Sequence, residues 1–181
     1  MIEFINKWPF PLLVLCSLFV CKISESQEIE NRYFAYEEDS LQVLFENIYV
    51  SKNDSDKIKY NEQVLEIFEE ILYDEQSFTE KFDSLKWMGK LRSPDGVFRI
   101  YNWNLVFTDG THKYFGFLQY YHKKKKIYLI YPLFDKSDEI LDPEKKYLKN
   151  TNWYGALYYE IIANKHKRNK YYTLLACDGN N

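Results

Sequence analysis

The stretch VFRIYNWNLVF, residues 97–107, is rich in aromatic and β-branched side chains and lies between two turn signals. Pro94-Asp95-Gly96 precedes it and Thr108-Asp109-Gly110 follows it. Aromatic and β-branched side chains suit a pleated, half-buried surface, whereas Pro, Asp and Gly suit tight turns. We therefore predict a β-strand with a hairpin turn at each end.

The two faces of this strand carry mixed side chains, because alternate residues of a strand point to opposite sides. One face would carry Val97, Arg99, Tyr101, Trp103 and Leu105. The other would carry Phe98, Ile100, Asn102, Asn104 and Val106. Neither set is cleanly apolar, so alternation alone does not separate a buried face from an exposed one.

Five further runs of similar character lie on either side of this strand. They cover residues 87–93, 112–121, 127–134, 153–163 and 171–177, and hairpin-like turn signals occupy three of the connections. A polar stretch with Pro143 inside it, residues 135–152, interrupts the series. We predict an antiparallel six-stranded meander sheet.

Residues 27–85 instead show helical spacing. The apolar residues Leu41, Leu44, Phe45 and Ile48 recur at the interval of one helix face, as do Val64, Leu65, Phe68, Ile71 and Leu72. Residues 50–57 form a polar connection, and Asp56 or Asn61 would cap the second helix. A short third helix is expected over 77–82. Two or three helices followed by strands predict an α+β fold.

Charge changes sign where the secondary structure changes. Residues 27–85 carry 16 acidic and 5 basic side chains, and residues 86–181 carry 9 acidic and 17 basic ones. We expect one domain over 27–181, with an acidic helical part and a basic β part. The overall charge of −3 hides this asymmetry and does not favour nucleic acid as a partner.

The first 26 residues have the layout of a secretory signal peptide. Lys7 precedes an apolar run of 13 residues, 8–20, and small residues follow at Ser24 and Ser26. The alternatives are an N-terminal membrane anchor, for which the run is short, and a lipoprotein acylated at Cys21. If the leader is a cleaved signal peptide, only Cys177 remains in the mature chain, which then has no internal disulfide. We expect an exported protein, periplasmic or at the cell surface of a Gram-negative bacterium.

Consecutive hairpins place alternate turns at the same end of a sheet. One end would therefore gather eight basic residues: Lys123, Lys124, Lys125, Lys126, Lys165, His166, Lys167 and Arg168. Such a basic end suits an anionic envelope polymer or lipid headgroups. The plainer interpretation is that these lysines solubilise hairpin tips or complement the acidic helices.

Motifs for catalysis or for a cofactor are absent from the sequence. The three histidines have no zinc-binding spacing, and there is no GxSxG, Walker or HExxH motif. We therefore expect no cofactor and no metal. Candidates for lining a pocket are Asp95, Arg99, Asn102 and His112, each explained equally well by turn or edge hydrogen bonds. Strand aromatics such as Tyr101, Trp103, Tyr114, Trp153, Tyr154 and Tyr159 would supply a platform for sugars if they were exposed.

Three segments, SPDGVFRIYNWN (93–104), WYGALYY (153–159) and YYTLLACDGNN (171–181), resemble a family of uncharacterised secreted proteins from Bacteroidetes. The resemblance covers the sheet half. It implies a signal peptide, helices at the N-terminus and a Tyr-rich β-sheet, but no activity. In that family the last segment ends in Trp-Asp-Gly-Asn and further strands follow, whereas Cys177 replaces the Trp here.

The closing residues Asp178-Gly179-Asn180-Asn181 have turn chemistry, yet no strand follows them. Three explanations are open: a C-terminal truncation relative to the family, an edge strand that a protein partner completes, or a frayed tail. For the whole chain we expect a non-catalytic envelope or interaction protein. The alternatives are a hydrolase-like enzyme acting on envelope or dietary polymer, and a carbohydrate-binding module. A deep pocket around Asp95, Arg99, Asn102 or His112 would favour the enzyme.

Overall fold

The computed structural model describes residues 33–166 and 169–180. The expectations for the leader, residues 1–26, and for Lys167 and Arg168 lie outside the described residues, as does Asn181. Two helices come first, α1 (Ala35–Val50) and α2 (Asp54–Tyr73), followed by a short 3-10 turn at Glu75–Phe78. Within the described part, no helix has the length and apolar character needed to cross a membrane.

Both predicted helices are confirmed, with a shifted start for the second. The apolar stripe of α1 is buried, and so is that of α2 except for Leu65, which is half-buried. The predicted caps are wrong: Asn53 caps α2, because its Oδ1 accepts a hydrogen bond from the Ser55 amide at 2.9 Å. Helix α2 therefore begins inside the stretch that was expected to be a loop.

Six strands follow, in two separate sheets. They are β1 (Gly89–Arg92), β2 (Phe98–Val106), β3 (His112–His122), β4 (Ile127–Phe134), β5 (Leu157–His166) and β6 (Asn169–Cys177). The first four form an antiparallel sheet in sequence order, while β5 and β6 form a hairpin of their own. The fold is α+β, but the prediction of a single six-stranded meander is wrong.

The two mixed faces of β2 explain the second sheet. Tyr101 and Trp103 pack against the helices in one apolar core, where the Phe68 ring lies 5.0 Å from the Tyr101 ring. Phe98 and Ile100 point the other way and pack against Ile161 of the hairpin in a second core. Because both faces of β2 need an apolar cover, the hairpin lies on the sheet rather than extending its edge.

The 135–152 segment carries the chain from the edge strand β4 to this opposite face. It contains three short 3-10 turns and a parallel bridge between Asp135 and Trp153. The Trp153 amide donates to the Phe134 carbonyl at 3.0 Å, and the Lys136 amide donates to the Trp153 carbonyl at 2.9 Å. These bonds anchor the crossover beside the end of β4.

A candidate ligand-binding cleft

A cleft with a volume of about 750 Å³ lies between α2 and the first residues of β3. It sits at the end of the sheet that carries the Asp109-Gly110 turn, away from the lysine-rich turns. Five segments of the chain form its wall. They contribute Asn61, Glu62 and Leu65, then Phe107, His112, Lys113 and Phe115, then Asp135 and Asp138, then Tyr154, and last Asp178 and Asn180.

Asp135 builds one side of the cleft by completing the edge of β3. Strand β4 ends opposite Phe115, so the amide of Tyr114 extends beyond it. Asp135 follows β4 directly, and its Oδ2 accepts that amide at 2.9 Å. Its Oδ1 accepts from the Ser137 amide at 3.0 Å, the Ser137 hydroxyl at 2.5 Å and the Gly155 amide at 3.2 Å. A carboxylate with four donors holds the crossover firmly.

Gly155 is required at that position. A Cβ atom there would lie 2.5 Å from the Asp135 carboxylate, which is closer than real Cβ contacts come. The lack of a side chain at Gly155 therefore lets the crossover backbone approach Asp135 closely enough to donate its amide.

The C-terminal turn also completes β3. Asn180 forms two hydrogen bonds with the His112 backbone: its Nδ2 donates to the carbonyl at 2.9 Å and its Oδ1 accepts from the amide at 2.7 Å. The Tyr114 hydroxyl donates to Asp178 Oδ1 at 2.9 Å and accepts from the Gly179 amide at 2.6 Å. Residues 178–180 thus turn back onto β3. Among the described strands, β6 pairs only with β5.

These contacts shift the acidity of Tyr114. Burial raises the pKa of its hydroxyl to about 12; the bond from the Gly179 amide opposes this rise, and the Asp178 carboxylate adds to it. The hydroxyl therefore stays protonated at neutral pH and keeps donating to Asp178.

Asn61 is the buried polar residue that α2 contributes to the cleft. Its side chain is buried, with 2% of the residue exposed, and its Oδ1 accepts a hydrogen bond from the Trp103 indole Nε1 at 2.7 Å. Indole nitrogen can only donate, so the atom that faces it must be the amide oxygen. The Nδ2 group donates to no described residue, and Asn61 is one of the residues that line the cleft.

The rest of the lining mixes carboxylates with rings. The cleft carries four carboxylates, from Glu62, Asp135, Asp138 and Asp178, and one ammonium group, from Lys113. Glu62 and Asp138 are exposed. The Phe115 ring stacks on the Trp103 ring with centroids 6.2 Å apart and planes 20° apart, so core packing fixes its orientation.

The four predicted pocket residues do not share a pocket. Arg99 is buried on the helix side of β2, where its Nη1 donates to the carbonyls of Ser77, Phe78 and Glu80 at 3.0, 3.2 and 2.5 Å. Asn102 is buried on the opposite face, and its Nδ2 donates to the Ala156 carbonyl at 3.4 Å. Both side chains support the fold rather than a recess.

Asp95 and His112 lie at opposite ends of the sheet. Asp95 is in the β1–β2 turn, where it accepts from the Tyr172 hydroxyl at 2.8 Å. His112 is the one candidate that lines the cleft. Its Nδ1 lies 2.7 Å from Asn104 Nδ2, and its ring is so close to Gly179 that a Cβ on that glycine would lie 2.8 Å from it.

The basic residues occupy the other end of the sheet. The side chains of Lys123–Lys126, in the β3–β4 turn, are exposed, and so is that of Lys165. Lys170 of β6 contacts Asp95 at 3.4 Å, which places the start of β6 beside the β1–β2 turn. The start of β6 and the β3–β4 turn therefore lie at the same end of the four-stranded sheet.

The predicted sugar platform is only partly accessible. Tyr101, Trp103, Tyr114 and Trp153 are buried, whereas Tyr159 is exposed. Tyr154 is half-buried and lines the cleft. No group of three or more potential metal ligands occurs within the described ranges.

Comparison with known proteins does not place the chain in a family. No family model, no curated protein and no solved structure matches this chain. The resemblance to secreted Bacteroidetes proteins therefore stays a prediction, and the function has to be argued from the cleft.

Proposed function

We propose that this chain is an exported, non-catalytic binding protein that holds its ligand in the cleft between α2 and β3. The observation that carries the proposal is the cleft itself: a recess of about 750 Å³ whose wall is fixed by hydrogen bonds while Glu62 and Asp138 remain exposed to solvent. A preformed recess with a few converging polar groups is the usual form of a small-ligand site.

Binding is favoured over hydrolysis because the groups best suited to acid–base chemistry are already engaged. Both oxygens of Asp135 accept bonds that hold the backbone. The Nδ1 atom of His112 lies within hydrogen-bond distance of the Asn104 side chain, and Gly179 lies against the imidazole ring. A general base must reach the proton that it removes, and the two Asp135 oxygens and the His112 Nδ1 are already occupied in this arrangement.

The sequence supports export through its leader, and the basic end favours residence near an anionic envelope polymer. Lys123–Lys126 and Lys165 are exposed at the end of the sheet away from the cleft. A bound polymer there would leave the cleft open. The two surfaces thus suit different roles, attachment at one end and ligand capture at the other.

A thermal-shift screen tests the binding function. The full chain, expressed with its leader so that a host cell can process it, is screened against saccharides, amino acids, short peptides, nucleotides and fatty acids. The Glu62→Lys variant changes an exposed residue of the cleft, and Glu66→Lys changes an equally exposed residue of α2 outside it. Since binding raises the melting temperature by mass action, we expect a shift that Glu62→Lys abolishes and Glu66→Lys retains.

Either of two results would overturn the proposal. The first is that no compound class stabilises the protein. The second is that every stabilising compound acts equally on both variants, which would place binding outside the cleft. Turnover of a stabilising compound would instead support the hydrolase alternative.

A further inference from the structure

We propose that the cleft recognises a neutral saccharide and that Asn61 is the residue that hydrogen-bonds it; this inference rests on the proposed binding function. Of the predicted sugar platform, Tyr154 lines this cleft, while Tyr101, Trp103, Tyr114 and Trp153 are buried. The site is identified by the Asn61 amide, whose Nδ2 donates to no described residue, and by the chemistry of the groups around it.

The amide of Asn61 is fixed in one orientation by its neighbour. Trp103 is itself buried, with 1% exposed, and its Nε1 occupies the Asn61 oxygen at 2.7 Å. A flipped amide would set two donors against each other, so the oxygen stays on Trp103 and the Nδ2 group remains available to another acceptor. Since Asn61 lines the cleft and its Nδ2 donates to no described residue, a ligand acceptor would give this donor a hydrogen bond.

Hydroxyl groups fit the surroundings of Asn61 better than a simple charge does. A sugar hydroxyl accepts from Nδ2 and donates to a carboxylate at the same time. The exposed carboxylates of Glu62 and Asp138 lie in the same cleft as Asn61. A bare cation would pair with the carboxylates but leave the Asn61 donors unsatisfied.

The aromatic rings of the lining also suit a sugar. Phe107, Phe115 and Tyr154 line the cleft and are all half-buried, so part of each ring remains accessible. Phe115 is held flat against Trp103. Apolar faces that alternate with a few directed polar groups suit the C–H faces and hydroxyl edges of a sugar ring.

The charge of the lining excludes acidic sugars. The lining carries four carboxylates and one ammonium group. Because like charges repel, uronic acids and sialic acids would be disfavoured relative to neutral sugars of the same size. This makes the inference more specific than sugar binding in general.

Titration calorimetry on the full processed chain tests the inference, with chitotriose and cellotriose as neutral probes and trigalacturonate as the anionic one. We expect saturable binding of a neutral trisaccharide and at least tenfold weaker binding of trigalacturonate. Asn61→Asp keeps the oxygen that accepts from Trp103 but removes both donors. We expect it to weaken binding about tenfold, whereas Glu66→Ala leaves the affinity unchanged.

A second variant keeps the test decisive if Asn61→Asp impairs folding. Asp138→Asn changes an exposed lining residue and should weaken the neutral trisaccharide about threefold or more. Equal affinity for the neutral and anionic probes, or full affinity in Asn61→Asp and Asp138→Asn, would overturn the inference. If both neutral probes fail while another compound in the thermal-shift screen depends on Glu62, the saccharide inference is wrong and the binding function stands. If nothing binds, both fail.

Discussion

Replacing Arg99 with methionine should destabilise the protein without changing the cleft. The Arg99 guanidinium connects the helical part to the sheet, because its Nη1 donates to three carbonyls of the segment that follows α2. The carbon atom at the centre of the guanidinium also lies 4.8 Å from the centre of the Tyr101 ring, in a cation–π contact. Methionine has similar length but offers no donor.

The size of the loss follows from these contacts. Each carbonyl that loses its donor in a buried place costs about 1–3 kcal/mol, and the cation–π contact adds about 1 kcal/mol. Removing a buried charge returns part of this, because the charge no longer has to be desolvated. We expect the free energy of unfolding to fall by about 2–4 kcal/mol, a large share of the stability of an ordinary domain.

Urea unfolding followed by tryptophan fluorescence measures this loss, since Trp103 and Trp153 are both buried. Arg92→Met is the matched control: Arg92 pairs with Arg99 in the sheet register but its side chain is exposed. The control should change the unfolding free energy by less than about 1 kcal/mol. If Arg99→Met loses no more stability than this control, the role given to the guanidinium is refuted. If Arg99→Met folds but no longer binds the ligand, Arg99 belongs to the binding site.

Three further outcomes are expected. Burial raises the pKa of Asp95, but hydrogen bonds from Tyr172 and three other residues outweigh it and lower the pKa. This carboxylate therefore stabilises the fold above its unfolded pKa of about 4, and the contribution is lost as pH falls through its lowered folded pKa. Melting temperatures against pH should therefore fall less steeply in acid for Asp95→Asn than for the wild type; parallel curves would contradict this. Gly116→Ala should cost about 2 kcal/mol or more in urea unfolding, because its Cβ would lie 2.4 Å from the Tyr101 carbonyl oxygen; unchanged stability would show that the strands adjust freely. Changing Lys123–Lys126 to glutamine should lower the salt concentration that elutes the protein from heparin. If the wild type does not bind heparin at low salt, the anionic-surface role is excluded.

The helices could be predicted from sequence because their information is local. The spacing of Leu41, Leu44, Phe45 and Ile48 specifies a buried face within one helix, and the structure buries it. Each strand was also located, to within a few residues. Alternation and turn chemistry act over short distances, so they report the elements well.

The arrangement of the strands depends on longer distances and was mispredicted. A strand with two mixed faces, such as β2, is typical of a sheet covered on both sides. Mixed faces of this kind are present in VFRIYNWNLVF. Nothing local distinguishes a hairpin that extends a sheet edge from one that packs on a sheet face, since both satisfy the same turn signals.

The cleft was missed for the same reason. Asn61 was interpreted as a helix cap, whereas its partner Trp103 is 42 residues away. Asn180 is hydrogen-bonded to His112, which is 68 residues away in the sequence. One available signal was Asp135, a carboxylate directly after a strand that ends early, which favours capping of the neighbouring strand.

The most direct test of the account is where a ligand binds on the protein. Amide NMR of the full processed chain, titrated with the strongest compound from the thermal-shift screen, locates the site without any substitution. The account predicts that the amides of Glu62, Thr111, Lys113 and Gly155 shift with one common affinity, while those of Lys123–Lys126 stay unchanged. Shifts confined to Lys123–Lys126, with the cleft amides unmoved, would contradict it.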